Sequence, residues 1–392
     1  MKILFDHQIF EIQKFGGVSR YYIELFKKLK SNKQVQITIS VLYSDNDYLI
    51  INNDFAPNLS IKSDNYKKFF WGIEFKGKWR LYNLINKLFP FLVPEKLNKK
   101  LSIKNIKAGN FDIFHPTYYD NYFLKIIENK PFVLTIHDMI YEKLQNKYIV
   151  NDPYSVNKKE LCDKASKIIA VSQNTKNDII ELFGIESNKI DVIYLANSLK
   201  TEPDFSGLEE KMMLPELYLL FIGNRSGYKN FGFFIASISK LLKTHPEIHV
   251  VCTGGVFSTE EILLFSKLGI SDKIIHRDAD DKSLSLLYKK ALAFVFPSVY
   301  EGFGIPILEA FSCGCPCLLS NTSSLPEVGS DAALYFNPLI ESSIETAVSR
   351  IINEPELRTT LINKGYERIK EFSWEKTAKK TFQLYNEVLQ RN

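Results

Sequence analysis

Short apolar runs alternate with amphipathic helical periods along this 392-residue chain, in two successive series. The first has strand-like runs at residues 3–5, 37–42, 111–115, 132–136, 168–171 and 192–195, with helical periods at 18–29, 154–164 and 174–183. The second has strand-like runs at 218–222, 249–253, 273–276, 292–296 and 317–320, interleaved with helical periods near 230–243, 259–268, 281–290 and 304–313. A strand that reads as a continuous apolar run is covered on both faces, and the intervening helices do the covering. The alternation therefore predicts an α/β chain with two parallel sheets. Length agrees, because a single core stops growing at roughly 250–300 residues. The polar stretch 197–214, containing Pro203 and Gly207, is the natural linker.

In open parallel sheets, ligands bind beyond the carboxyl ends of the strands, so chemistry-bearing residues should cluster there. Residues 297–309 carry Glu301 and Glu309, eight positions apart across a glycine-containing turn. An apolar run ends just before them, and Pro306 opens a helix where its missing N–H has no partner to lose. Glu301 then sits at the tip of a strand-to-helix loop. The amides around Phe303, Gly304 and Ile305 face outward at a helix N-terminus, where the dipole favours an anion such as a diphosphate. Carboxylates on either side can accept hydrogen bonds from hydroxyls. A phosphate flanked by two polyols describes a nucleotide-sugar.

The run 217–221 leads into a comparable loop holding Gly223, Arg225, Gly227, Tyr228 and Lys229, with the next helix capped at Asn230 or just before it. Arg225 and Lys229 are permanent cations suited to a pyrophosphate whose charge grows as a glycosidic bond breaks. In the first half, Asp6-His7-Gln8 ends the first strand. Gly16-Gly17 precedes the first helix, where bare backbone can approach an anion closely. Arg20, one turn on, adds charge there or covers the helix surface. Another strand ends in His137-Asp138. The imidazole can bond a sugar hydroxyl or stabilise charge near an anomeric carbon, while Asp138 also suits a helix cap.

Together these motifs, spread over nearly the whole chain, resemble the retaining GT-B glycosyltransferases of glycosyltransferase family 4, the "glycosyl transferases group 1" enzymes. The resemblance implies two Rossmann-like domains facing a deep interdomain cleft. Residues 1–197 would form the acceptor-side domain, joined by a returning C-terminal helix at 375–392, and residues 198–374 would bind the donor. It implies that His137, Arg225, Lys229 and Glu301 form the catalytic set. Gly16, Gly17, Gly223, Phe303, Gly304, Ile305 and Glu309 would bind the donor. Among these, Glu309 takes the ribose hydroxyls, and backbone around Ile275 meets the base. Asp6, His7, Arg20 and Asp138 fall on the acceptor side. Tyr228 stands where the family commonly has an arginine, and Arg225, three positions earlier, is expected to replace it in space. The implied chemistry is a front-face transfer in which Glu301 binds sugar hydroxyls and does not attack. No cofactor and no metal are expected, since fixed cations and helix amides stabilise the leaving diphosphate. Asp6-His7-Gln8 and the loop from Gly223 to Asn230 are most similar to O-antigen mannosyl- and perosaminyl-type transferases using GDP-mannose or a related GDP-sugar.

Between residues 62 and 107, twelve Lys or Arg face three acids, a net of +9 in a chain whose total is only +5. Aromatic residues are interleaved with them. That mixture suits an anionic membrane surface, each nearby cation contributing on the order of 1 kcal/mol. A polyprenyl-diphosphate-linked glycan acceptor would give it a purpose, although an amphipathic lid with solvated cations explains the same pattern. No nucleic-acid-binding module surrounds it, and nucleic acid is not an expected partner. No apolar run approaches the ~18 residues of a membrane span, and the first residues read as a buried strand, not a leader. The expected location is the cytoplasm, with the inner face of the cytoplasmic membrane as a candidate resting place. Cys162, Cys252, Cys313, Cys315 and Cys317 lack zinc-site spacing and read as buried thiols. Two other readings stay open: a sugar-nucleotide epimerase on the same fold, and a non-catalytic nucleotide-sugar or glycan-binding protein.

Overall fold

The computed structural model describes residues 1–61, 73, 76–78, 80, 81, 84, 94–145, 153–199 and 205–391, with backbone alone at 94, 95 and 391. Most of the basic and aromatic segment 62–107 therefore lies outside the described residues, as does part of the stretch 197–214.

The first half contributes β1 (Lys2–Phe5), β2 (Gln36–Ile39), β3 (Tyr43–Ser44), β4 (Ser60–Ile61), β5 (Ile113–His115), β6 (Val133–Ile136), β7 (Lys167–Ala170) and β8 (Ile190–Val192). Parallel sheets in the orders β2-β1-β5 and β6-β7-β8 meet edge to edge through a parallel bridge between Phe114 and Phe132. The second half contributes β9 (Leu217–Phe221), β10 (Ile248–Cys252), β11 (Ile274–His276), β12 (Ala293–Phe296), β13 (Cys317–Ser320) and β14 (Ala333–Phe336). These form one parallel sheet in the order β11-β10-β9-β12-β13-β14, with Leu219 of β9 paired to Val250 on one side and Ala293 on the other. This is the doubly wound arrangement, whose winding reverses between β9 and β12 and opens a crevice at their carboxyl ends. Both second-half loops singled out in the sequence leave from those two strands.

Continuous apolar runs are buried here as expected: Tyr218 to Phe221, Val250 to Cys252 and Ala293 to Phe296 are all inside. The helix Phe231–Thr244 presents Phe231, Phe234, Ile235, Ile238, Leu241 and Leu242 to the sheet at helical spacing. A further cluster runs without interruption through both halves, joining Phe5, Tyr21, Phe303, Ile307, Trp374 and Tyr385. The last helix, Trp374–Arg391, packs back onto the helix Gly17–Lys30 of the first half. Its Trp374 indole donates to Ser198 Oγ at 2.9 Å, and Thr377 Oγ1 donates to the Tyr194 carbonyl at 2.7 Å. The architecture is thus two Rossmann-like lobes, a cleft between them and a crossing C-terminal helix. All five cysteines are buried free thiols. Among the described residues, no helix is long and apolar enough to cross a membrane.

Candidate active site

Two helix N-termini meet across the cleft. Gly17 begins the helix Gly17–Lys30, and a methyl group added there would lie 3.7 Å from Ile305 Cδ1, at the start of the helix Ile305–Ser312. Neither helix is capped by its own N-cap residue and neither carries an acid in its first turn, although Gln13 Oε1 accepts from the Ser19 N–H at 3.1 Å in the first of them. Their leading N–H groups are free of competing carboxylates, and both dipoles favour an anion between them. Gly304 reaches this position through a φ of 105°, a conformation that other residues rarely adopt.

Lys229 and Glu301 come together beside these termini. Lys229 Nζ lies 2.6 Å from Glu301 Oε1, with the lysine side chain 20% exposed. Neighbouring backbone holds the pair: Val299 N–H donates to the Tyr228 carbonyl at 2.9 Å, which stitches the β9 and β12 loops together. Glu301 N–H donates to Ser323 Oγ at 2.9 Å, and Ser324 Oγ bonds the Glu301 and Phe303 carbonyls at 2.9 and 3.0 Å. Tyr228 is itself close enough to Glu301 and Asp138 that burial, reinforced by their charges, pushes its hydroxyl pKa well up.

Arg225 is not brought to this pair. Its guanidinium donates to Glu261 at 2.7 Å, to the Thr253 carbonyl at 2.9 Å, and to the Gly255 and Val256 carbonyls at 2.6 and 3.0 Å. It also lies over the Phe257 ring. The expectation that it stands in for the missing family arginine is not met in this geometry: its donors staple the β9 loop to the loop after β10. Asn230 holds the N-cap position as expected, but not by a side-chain cap. It adopts a left-handed conformation at the helix start, and its side chain donates to the Pro338 carbonyl at 2.7 Å without capping the helix. Gly223, with φ of 94°, sits where the two stapled loops cross.

His137 lies on the other wall. Its ring is buried edge-on to Tyr21 and Tyr22. Burial outweighs the charge of Asp138 and lowers its pKa to about 4, so the imidazole is neutral near pH 7. Its Nε2 has no hydrogen-bond partner among the described residues. Asp138 accepts from the Ile140 N–H at 3.0 Å, as a local cap would. Glu309 is buried, accepts from Arg20 Nη1 at 3.3 Å and from the Tyr288 hydroxyl at 3.0 Å, and has its pKa raised by burial.

The remaining first-half residues divide. Asp6 is a structural knot: its carboxylate accepts from the Thr117 N–H and hydroxyl at 2.8 and 2.7 Å, from Gln8 Nε2 at 2.8 Å and from the Tyr122 hydroxyl at 3.1 Å. His7 Nδ1 pairs with Ser102 Oγ at 2.7 Å, and the ring lines a small cavity with Glu11, Lys96, Lys99 and Asp120. Gly16 is extended at the helix start, its carbonyl taking the Arg20 N–H. Ile275 sits on outer β11, away from the Lys229–Glu301 centre.

Two features escaped the sequence reading. At Gly302, an added methyl would lie 1.8 Å from the His137 carbonyl oxygen, so the two lobes touch there backbone to backbone. Ser172 Oγ, from the first half, also donates to the Gly302 carbonyl at 2.7 Å. At Gly254, with φ of 93°, an added methyl would meet the Gly223 carbonyl oxygen at 2.5 Å. The Thr253-Gly254-Gly255 sequence directly after a strand was the available signal.

Comparison with known proteins agrees with this arrangement. Residues 15–196 match the family described as Glycosyltransferase Family 4, and residues 210–368 match the family described as Glycosyl transferases group 1. The two matches fall on the two lobes. Both lobes thus match glycosyltransferase families. It is 31% identical over 235 residues to the O-antigen chain mannosyltransferase B of Escherichia coli, an alignment covering 58% of this chain and 62% of that protein, less than two thirds of its length. It is 29% identical over 254 residues to the O-antigen chain mannosyltransferase RfbU of Salmonella typhimurium, covering 64% and 68%. In fold it is similar to Anabaena Alr3699/HepE in complex with UDP and glucose, with a TM-score of 0.72 at 16% identity over 98% of this chain and 99% of that one.

Proposed function

We propose that this protein transfers a hexose, with retention of configuration, from a nucleoside diphosphate-sugar to a polyprenyl-diphosphate-linked glycan in bacterial O-antigen or surface-polysaccharide synthesis. A GDP-sugar such as GDP-mannose is the favoured donor. The observation that carries this reading is the meeting of two glycine-led helix N-termini, free of acids in their first turns, beside the Lys229–Glu301 pair. The diphosphate lies between the helix starts, where amides and dipoles need no reorganisation as charge develops. Lys229 exchanges part of its contact with Glu301 for a phosphate oxygen, and Glu301 turns its carboxylate to the sugar hydroxyls. Neutral His137 offers its unpartnered Nε2 to the same sugar. A phosphate oxygen of the leaving nucleotide takes the acceptor's proton on the face it departs from, so no protein nucleophile and no metal are assigned. The names of the two O-antigen relatives support a mannosyl donor.

The reading places the protein in the cytoplasm, with the basic segment against the inner face of the membrane. Incubation with GDP-mannose, UDP-glucose and related donors, with and without a polyprenyl-diphosphate-linked glycan, tests it. An α-linked product from an α-linked donor, lost in Lys229→Ala and Glu301→Gln, is the expected result. Acceptor-independent conversion of the donor points instead to an epimerase, and binding without turnover to a non-catalytic protein.

A further inference from the structure

Arg20 does something that its place on the first lobe does not suggest. It rises from the glycine-led helix Gly17–Lys30 and ends on the opposite lobe, with Nη1 3.3 Å from Glu309 Oε1 and Nη2 2.6 Å from Asp281 Oδ1. On its own lobe, Tyr48 Oη accepts from Nε and Nη2 at 3.0 and 2.8 Å. The fork is therefore fixed from both sides of the cleft. We propose that Arg20 is a donor-positioning residue, which holds the Glu309 carboxylate in place for the nucleoside ribose and couples that contact to closure of the two lobes.

The inference rests on the donor reading above, in which Glu309 takes the ribose hydroxyls. A carboxylate oxygen has two acceptor sites, and each Glu309 oxygen uses one, for Arg20 or for Tyr288. One site per oxygen remains, a match for two adjacent hydroxyls. A buried carboxylate without its cation would protonate or turn towards water. Among the described residues, the groups facing Glu309 are Arg20, Tyr288, Asp281 and Tyr48, with Cys313 near the end of its own helix. Arg20 is the only cation among them. Lysine cannot replace it, because a single ammonium lacks the planar fork that spans Glu309, Asp281 and Tyr48 at once.

The sign of the pH effect follows. Burial raises the Glu309 pKa and Arg20 opposes that rise, so removing Arg20 raises it further. The ionised fraction then falls as pH falls, and binding with it. The test measures GDP and UDP binding by calorimetry between about pH 6 and about pH 8 for wild type, Arg20→Ala, Arg20→Lys and Asp281→Asn, with melting temperatures alongside. Arg20→Ala should weaken binding by about tenfold or more at neutral pH, the loss deepening toward the acid end, and should raise donor KM more than it lowers kcat. Arg20→Lys should recover part of the loss. Asp281→Asn changes an exposed carboxylate that poses little risk to folding, and should weaken binding in the same direction by a smaller factor. Binding that is unchanged or tighter in the folded variants overturns the proposal, since Arg20 would then be a bystander or a competitor of ribose. Wild-type protein that binds no nucleoside diphosphate sinks the donor reading itself, a different outcome from normal wild-type binding with unaffected variants.

Discussion

Lys229 and Arg225 share one loop, and their surroundings give them opposite roles. Lys229 is partly exposed and touches one carboxylate, so Lys229→Ala should cost less stability than loss of Arg225, about 1–2 kcal/mol for leaving the buried Glu301 without its cation, while kcat falls by roughly 100- to 1,000-fold. Arg225 is enclosed by Glu261 and three carbonyls, and its removal leaves the Glu261 carboxylate without its cation. Arg225→Ala should lower unfolding free energy by about 3 kcal/mol, read from denaturant midpoints. Equal stability of the two variants would contradict this division. Gly302→Ala should reduce transfer about 100-fold, because its methyl must displace the His137 carbonyl, whereas Gly255→Ala, with nothing within 4 Å, should match wild type in the same assay. Lys229, Glu301 and Glu309 were legible because a strand, a loop and a helix start in consecutive residues define their neighbourhood. Arg225 was misplaced because its partner Glu261 lies 36 residues downstream, and Gly302 was missed because its constraint comes from the other lobe.

At the scale of elements, local pattern succeeded where runs were long and failed where they were short. Strands β9 and β12 were found within a residue because an uninterrupted buried run has a single reading. Strand β14 is half-buried and was missed, as were β3 and β4, with two residues each. The strand expected at 192–195 lies earlier, at Ile190–Val192, and the helical period 154–164 divides into a 3-10 turn at Ser155–Asn157 and a helix at Lys158–Lys164. Local pattern accounts for only part of how the helix Gln173–Phe183 is capped. Ser172 Oγ accepts from the Thr175 N–H, but the Gln173 and Asn174 N–H groups donate to Glu327 of the opposite half at 2.6 and 3.0 Å. One lobe thus caps a helix of the other, next to Tyr300 donating to Asp178 at 2.5 Å. Glu327→Gln removes the charge from that N-terminus and should loosen the seam by about 1 kcal/mol. Faster amide exchange across residues 173–177 is the expected readout, and unchanged exchange would show that the seam does not depend on this cap.

Across the whole molecule, the crossing helix and the cleft wall are joined by a buried polar chain that gives the protein a predictable response to acid. Tyr385 of the last helix bonds His115 Nδ1 at 2.6 Å, His115 Nε2 pairs with Thr135 Oγ1 at 2.9 Å, and Thr135 lies 3.4 Å from the Tyr21 hydroxyl, whose ring packs on His137. Burial holds both imidazoles neutral, lowering His115 to about 3 and His137 to about 4. Unfolded histidines titrate near 6.5, so between that value and the folded ones the unfolded chain binds protons that the fold cannot. The stability contributed by these two residues is complete above about pH 6.5 and is lost progressively as pH falls towards 4 and then 3. The full loss is on the order of 5 kcal/mol for His115 and 3 kcal/mol for His137. Glu309 acts in the opposite sense, because its raised pKa makes the fold the better proton acceptor above the ordinary carboxylate range, which partly offsets the histidines in the same window. Burial lowers His7 as well and raises Glu142 as it does Glu309, so three histidines against two carboxyls leave a net fall. Urea midpoints should therefore decline from neutral pH to about pH 4.5, and His115→Gln, which keeps polar atoms but cannot take a proton, should flatten the decline. A midpoint that holds steady through that interval would mean that the imidazoles reach water in solution, and that the crossing helix does not seal the chain linking it to His137.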